Sequence, residues 1–275
     1  MQQRTILITG CSSGIGYAAA HALRERGWRV FASCRQTRDC ERLAAERFDA
    51  PQLDYTDASS IATAVGHVLE QTGGTLDALY NNGAHATPGA VEDLPTDALR
   101  EIFESNFFGW HELTRKIIPV MRAQGHGRII QCSSVLGLVT MPWRGAYNST
   151  KFALEGLTDT LRIELRDTPI HVTLIEPGPI TSNIRANSIP HFERWIDWKS
   201  SARKAQYESA LLDRLYTARG TDRFELPPQA VVDKLIHALE ADRPRPRYYV
   251  TTPTRISGIL KRILPTRALD WVLSR

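Results

Sequence analysis

The stretch RTILITGCSSGIGYAAAHALRERG, residues 4–27, leaves few folds open. A short β-branched run ends at Gly10 and passes through a glycine-rich turn into an apolar-periodic segment that Gly27 closes. Strand, tight turn and helix in direct succession form the first half of a βαβ unit. Gly10, Gly14 and Gly16 stand in the spacing G-x3-G-x-G, a variant of the dinucleotide fingerprint G-x-G-x-x-G. In that context the glycines let the backbone turn and approach a pyrophosphate, which sits on the free N–H groups of the helix start. An ordinary βα turn is the plainer reading of the same residues.

The alternation continues. WRVFASCR reads as a strand, TRDCERLAAERF as a helix, PQLDYTD as a short third strand, SIATAVGHVLEQTG as a helix and LDALYNNGA as a strand. A long helix covers roughly Thr96 to Gln124, then GRIIQCSS is a strand, AYNSTKFALEGLTDTLRIELRD a helix and IHVTLIEPG a strand. Strands alternating with helices of this length predict an α/β fold, a doubly wound parallel sheet of Rossmann type, here as a single domain over 1–275. After Pro177 the pattern breaks. Residues 179–226 hold no clear strand but carry Phe192, Trp195, Trp198, Tyr207 and Tyr216. They read either as a helical excursion packed on the body or as a flap over an apolar substrate, since insertions beyond the carboxyl ends of the strands lie where ligands bind.

An NAD site usually places a carboxylate at the end of the second strand to hold the ribose 2′-OH. Here the strand ends at Ser33-Cys34-Arg35, with no acid before Asp39. Arg35 can instead fork onto a 2′-phosphate, which points to NADP(H). Asp54 is placed to accept a hydrogen bond from an adenine amino group, or to cap the next helix.

Tyr147 and Lys151 stand at i and i+4, on one face of a helix. A free tyrosine has a pKa near ~10, and a nearby ammonium lowers it toward a useful acid–base range. Ser134, thirteen residues before Tyr147, lies just past a strand end and can polarise the same carbonyl that Tyr147 protonates.

TGCSSGIG, NNGA (81–84), SNFFG (105–109), CSSVLG (132–137), YNSTK and EPGPI (176–180) follow one another over about residues 4–182. In that order they resemble the successive motifs of the short-chain dehydrogenase/reductase family. The wording is further similar to the branch of 17β-hydroxysteroid dehydrogenases, retinol dehydrogenases and bacterial NADP-dependent aldehyde reductases, and PPQAVVDKLIHAL with its basic tail most resembles the last. The resemblance implies Tyr147 as general acid or base, Lys151 as the cation that tunes it and binds the nicotinamide ribose, Ser134 on the substrate oxygen, and Asn106 as anchor of a water linking Lys151 to solvent. It implies an NADP(H) cleft at Gly10, Ser12, Ser13, Gly14, Ile15, Gly16, Arg35, Asp54, Tyr55, Asn82, Ala84, Tyr147, Lys151, Pro177, Gly178 and Ile180, with the backbone of Ile180 on the carboxamide. Dimers or tetramers are usual in the family. The chain departs from it at Gly83-Ala84, where the family has these two exchanged, at Ser149-Thr150 in place of alanine-serine, and at Ser182 in place of threonine.

Trp143, Trp195 and Trp198 can wall a pocket beside Ser134 and Tyr147 or simply pack. An apolar aldehyde or ketone is the substrate this predicts. The alternatives are a hydroxysteroid or retinol dehydrogenase working oxidatively and a non-catalytic NADP-sensing protein.

Composition sets the remaining bounds. No run approaches the ~18 apolar residues of a membrane span, and MQQRTILITG lacks the cationic start of a signal peptide. With that start, the four cysteines are expected as free thiols in a cytoplasmic protein, and neither a CxxC pair nor zinc-ligand spacing is present, so no metal is expected. The net charge is +4, yet residues 243–275 hold eight Lys/Arg against Asp270 alone. No motif for nucleic acid accompanies that charge. RISGILKRIL (255–264) puts Ile256, Ile259, Leu260, Ile263 and Leu264 on one helical face. Such a face packs on its own body or a second subunit, or lies peripherally on an anionic inner membrane face.

Overall fold

Thr5–Ile8 and Ala78–Asn81 are buried along their whole length, as strands covered on both faces must be. The computed structural model describes residues 3–217 and 223–274. Its elements are β1 (Thr5–Ile8), α1 (Gly14–Glu25), β2 (Arg29–Ala32), α2 (Thr37–Ala45), α3 (Ala58–Thr72), β3 (Ala78–Asn81), α4 (Thr96–Phe103), α5 (Gly109–Gln124), β4 (Gly127–Cys132), α6 (Gly145–Glu164), β5 (Ile170–Glu176), α7 (Ile184–Trp195), α8 (Lys204–Gln206), α9 (Asp213–Tyr216), α10 (Gln229–Glu240), β6 (Arg247–Tyr249), α11 (Thr252–Ile263) and α12 (Thr266–Leu273).

All six strands are parallel in the order β2-β1-β3-β4-β5-β6, so the doubly wound sheet is as expected. The crossover between β1 and β3 opens the switch point at which ligands bind in such sheets. Alternate residues serve opposite cores. Ile6, Ile8 and Ile130 pack with Leu23 of α1 and Leu235 of α10, while Leu7 and Ile129 pack with Val68 of α3 and Leu113 of α5. Caps end the helices where the sequence turns. Asp57 accepts from the amides of Ser59 and Ser60 at the start of α3, and Gly73 and Gly125 take left-handed φ of 66° and 77° at the ends of α3 and α5.

Three expectations change. PQLDYTD is not a strand: Gln52 makes one isolated bridge, to Cys34 just past β2, and a second, Phe31↔Asp49, falls ahead of the segment. Pro51 lies between the two and has no N–H to extend a ladder. β6, three residues long, has too little alternation to be read from sequence. The helix expected from Thr96 to Gln124 is broken by a π-helical turn, Glu104–Phe108, in which the Gly109 amide reaches the Glu104 carbonyl.

Residues 179–226 fold as helices closed at the base by a parallel bridge, Ile180↔Leu226; residues 218–222 of the expected flap lie outside the described residues. This cap has its own core of Phe192, Ile196, Tyr207, Leu211 and Leu215, closed by Ala90. The fully buried Tyr207 hydroxyl donates to Asp93 at 2.8 Å and accepts from the Ala90 amide at 2.8 Å, tying the cap to the body. α11 packs by its small face: a Cβ on Gly258 would lie 3.0 Å from the Tyr249 ring. The predicted apolar stripe is divided: Leu260 and Leu264 are half-buried, and Ile256, Ile259 and Ile263 stay exposed. No helix among the described residues is long and apolar enough to cross a membrane. All four cysteines are free and buried.

Candidate active site

The glycine loop is folded against the end of β3. A Cβ on Gly10, whose φ is +68°, would lie 2.5 Å from the Gly83 Cα, and one on Gly16 would lie 2.4 Å from the Gly10 carbonyl oxygen. Gly83 is less tightly held, with a built Cβ 3.2 Å from the Gly10 Cα. The exchanged order Gly83-Ala84 thus puts the glycine where the two loops touch. Asn82 Nδ2 donates to the Thr9 carbonyl at 3.0 Å, and the Thr9 hydroxyl accepts from the amides of Asn82 and Gly83. Ser13 caps α1 with extended backbone but no side-chain bond, which leaves first-turn amides free for an anion beside Ser12, Gly14 and Ile15.

At the end of β2 the exposed Arg35 guanidinium has no hydrogen bond or ion pair among the described residues; only its backbone carbonyl is engaged, by Gln52. Asp54 Oδ1 accepts from the amide and hydroxyl of Thr56, and the helix cap belongs to Asp57. Tyr55 turns its hydroxyl inward, onto Thr9 Oγ1 at 2.7 Å and Asn81 Oδ1 at 2.8 Å, so that group braces β1 to β3. Uncapped amides, a cradle that a side chain would fill and an unpaired cation at the ribose end together fit a dinucleotide.

Tyr147, Lys151 and Ser134 come together at the carboxyl end of β4. Lys151 is fully buried. Its Nζ donates to the Cys132 carbonyl at 2.8 Å and lies 4.3 Å from the centroid of the Trp110 ring and 5.5 Å from that of Tyr147. Burial lowers its pKa to about 8, against the opposing pull of Cys132 and Glu155. The Tyr147 phenol is pushed well above its ordinary range, chiefly by burial and then by Cys132, while a hydrogen bond with Ser134 pulls it back. The ammonium was expected to lower the phenol's pKa; in the folded chain, loss of solvation outweighs that and favours the neutral form of both groups. Ser134 Oγ also accepts from the Leu136 amide at 3.1 Å, which fixes its direction.

Asn106 sits in the π-helical turn, a kind of distortion often found at functional sites. Its side chain is spent on the backbone of His85, accepting from the amide at 3.1 Å and donating to the carbonyl at 2.8 Å. The amide group is therefore a brace for the loop after β3, and its Oδ1 also accepts from Ser105 Oγ at 3.1 Å.

On the other lip, Pro177 O accepts from the Val135 amide at 2.8 Å, and a Cβ on Gly178 would lie 2.1 Å from Thr251 Oγ1. Ile180 lies next, at the base of the cap. Trp143, Trp195 and Trp198 all pack against the cap core, and Trp143, at φ +66°, lies 4.8 Å from the Tyr207 ring. Their packing role is thus present in full. Trp143 also lines a cleft of about 600 Å³ with Met141, Asn148 and Phe152.

Sequence reading missed several residues. Trp110 carries the Lys151 ammonium on its ring and donates Nε1–H to the Gly83 carbonyl at 2.9 Å. Behind Lys151, Arg247 of β6 bonds Glu155, Glu176 at 2.5 Å and Asp159 at 2.5 Å. Burial raises Glu176 to about 8, helped by Glu155 and opposed by Arg247. Only the i, i+4 spacing of Lys151, Glu155 and Asp159 was a signal; the arginine lies far along the chain.

Comparison with known proteins agrees with this geometry. Residues 4–192 match the family model described as short chain dehydrogenase. The chain is 37% identical over 273 residues to the Escherichia coli oxidoreductase YbbO, covering 99% of this chain and 95% of that protein. It is 32% identical to an NADPH-dependent 3-dehydrocapnine reductase of Ornithobacterium rhinotracheale, over 98% of this chain and 95% of that one. It is 31% identical to human 17-beta-hydroxysteroid dehydrogenase type 6, over 100% of this chain and 89% of the relative. The order of the strands, the glycine cradle and the buried Tyr147–Lys151 pair beside Ser134 place the chain in the short-chain dehydrogenase family of oxidoreductases.

Proposed function

We propose that the protein is a one-domain NADP(H)-dependent reductase of lipophilic aldehydes or ketones. The observation that carries the reading is the meeting of the Tyr147 phenol, the Ser134 hydroxyl and the buried Lys151 ammonium at one strand end. The bound nicotinamide cofactor supplies the hydride. Ser134 orients the substrate carbonyl, Tyr147 gives its proton to the carbonyl oxygen, and Lys151 stabilises the phenolate left behind. Excluding water from the pair strengthens each of these interactions. Gly10, Gly14 and Gly16 admit the pyrophosphate, Arg35 takes the 2′-phosphate, and Asp54 faces the adenine. The unpaired Arg35 and the NADPH dependence of the Ornithobacterium relative support NADP(H) over NAD(H).

The likeness to a 17-beta-hydroxysteroid dehydrogenase favours a second reading, oxidation of a lipophilic alcohol by the same residues in reverse. Assays with NADPH and NADH on aliphatic, aromatic and polycyclic carbonyls, and on the matching alcohols, separate the two. Tyr147→Phe is expected to lower turnover by ~10²–10⁴-fold with cofactor binding retained. Turnover unchanged in that variant would leave a non-catalytic NADP-sensing role. Equal rates with NADH would remove the part given to Arg35. A homodimer or homotetramer in the cytoplasm belongs to the same reading.

A further inference from the structure

His85, Glu101 and His191 are remote in sequence and come from three elements: the loop after β3, α4 and the cap helix α7. One ligand atom from each lies within 4.8 Å of the other two. The two imidazoles are stacked, with centroids 3.9 Å apart and planes 14° from parallel. His85 is 9% exposed, and its Nε2 is buried with no hydrogen-bond partner.

The surroundings determine which nitrogens carry protons. His85 Nδ1 is 3.0 Å from Ser105 Oγ, and that hydroxyl has acceptors for its own proton in Asn106 Oδ1 at 3.1 Å and the Ile102 carbonyl at 3.3 Å. His85 is then the donor at Nδ1, and its Nε2 presents a bare lone pair. His191 Nδ1 faces Glu101 Oε1 at 3.0 Å, and a cation taken up by these two residues would displace the proton they share. A ring N–H held by a hydroxyl is the arrangement that orients His85 Nε2 toward a metal. Buried lone pairs without a donor cost free energy, and a Lewis acid relieves that cost.

We propose that His85, Glu101 and His191 form a binding site for a zinc-class divalent cation that fastens the cap helix α7 to α4 and to the loop braced by Asn106. Two imidazoles and a carboxylate are a common zinc set, with a fourth position left for water. Bond lengths of ~2.0–2.2 Å require the stack to open by rotation of one ring about its Cβ–Cγ bond. His191 can do this because it is on the more exposed side. Arg194, which now holds Glu101 Oε2 at 3.0 Å, is mostly exposed and can yield its place. Neither the spacing in the sequence nor the oxidoreductase reading calls for this site, and it stands whether or not that reading does.

The test uses the full chain freed of metal by chelation. Titration calorimetry with ZnCl2 is expected to show one Zn2+ bound per chain, with His191→Gln and Glu101→Gln each weakening it at least tenfold. Co2+ should give the intense visible bands of a four- or five-coordinate N/O site, absent in both variants. Thermal unfolding without metal verifies that the variants are folded, and the milder Glu101→Gln carries the test if His191→Gln is not. Failure to bind Zn2+ saturably overturns the proposal. Equal binding by wild type and variants also overturns it, because the metal would then sit on surface pairs such as His67–Asp49 or His126–Asp77.

Discussion

Lys151 shows how a functional residue works against stability. A lysine with its pKa lowered to about 8 is held in a place that favours its neutral form. Between about 8 and its ordinary 10.5 the unfolded chain binds more protons than the folded one, so stability rises with pH across that window. Below about 8 both states are protonated and the burial cost is present in full. Lys151→Met is therefore expected to raise stability at pH 7 by about 1–2 kcal/mol in urea unfolding without cofactor, and to abolish turnover. The gain should shrink as pH rises toward 10. Unaltered or lower stability at pH 7 would mean that the bond to Cys132 O outweighs the desolvation. The residues whose chemistry was evident from sequence, Tyr147, Lys151, Ser134 and the three loop glycines, sit in contiguous motifs with fixed local spacing. Trp110, His85 and Arg247 act on partners 41 to 106 residues away, where only the folded chain brings the groups together.

At the scale of elements, β6 is the part the sequence conceals and the structure most needs at its edge. Three residues are too few for a period to register. Arg247, the first of them, ties α6 and β5 together through Glu155, Asp159 and Glu176. Arg247→Met removes the hydrogen-bond partner of two buried carboxyl groups, Glu155 and Glu176, and should cost about 3 kcal/mol in denaturant unfolding. The raised proton affinity of Glu176 means that the folded chain holds more protons than the unfolded one between its ordinary 4.5 and about 8. Stability falls as pH rises through that window. Glu176→Gln keeps a neutral side chain of the same shape, so its urea midpoint should change less between pH 5.5 and 8 than that of the wild type. A parallel dependence in both chains would assign the slope to another group. The π-helical turn was hidden for a related reason: the apolar spacing runs through α4 and α5 without a break, and the extra residue is absorbed by hydrogen bonding.

On the scale of the molecule, α/β alternation and the doubly wound parallel sheet followed from the sequence because buried parallel strands and amphipathic helices carry strong periodic signals. The helix expected over 255–264 is also present, as α11. α11 meets the body through Thr254 and Gly258, and Ile256, Ile259 and Ile263 are 49%, 58% and 67% exposed. Periodicity identified the apolar face and left open whether the body, a second subunit or a membrane covers it. If a second subunit covers this face, Ile259→Glu with Ile263→Glu should lower the sedimentation mass of the protein and leave its monomer fold intact. An unchanged mass, with loss of binding to anionic vesicles, would assign the face to lipid.

The bridge Ile180↔Leu226 gives the cap an unusual independence. A long excursion whose two ends meet at one point imposes little on the sheet that carries it. Residues 181–225 can thus diverge, lengthen or be exchanged as a cassette while β5, α10 and the Tyr147 site keep their geometry. In such a chain the ability to move a hydride and the choice of molecule that receives it are inherited separately.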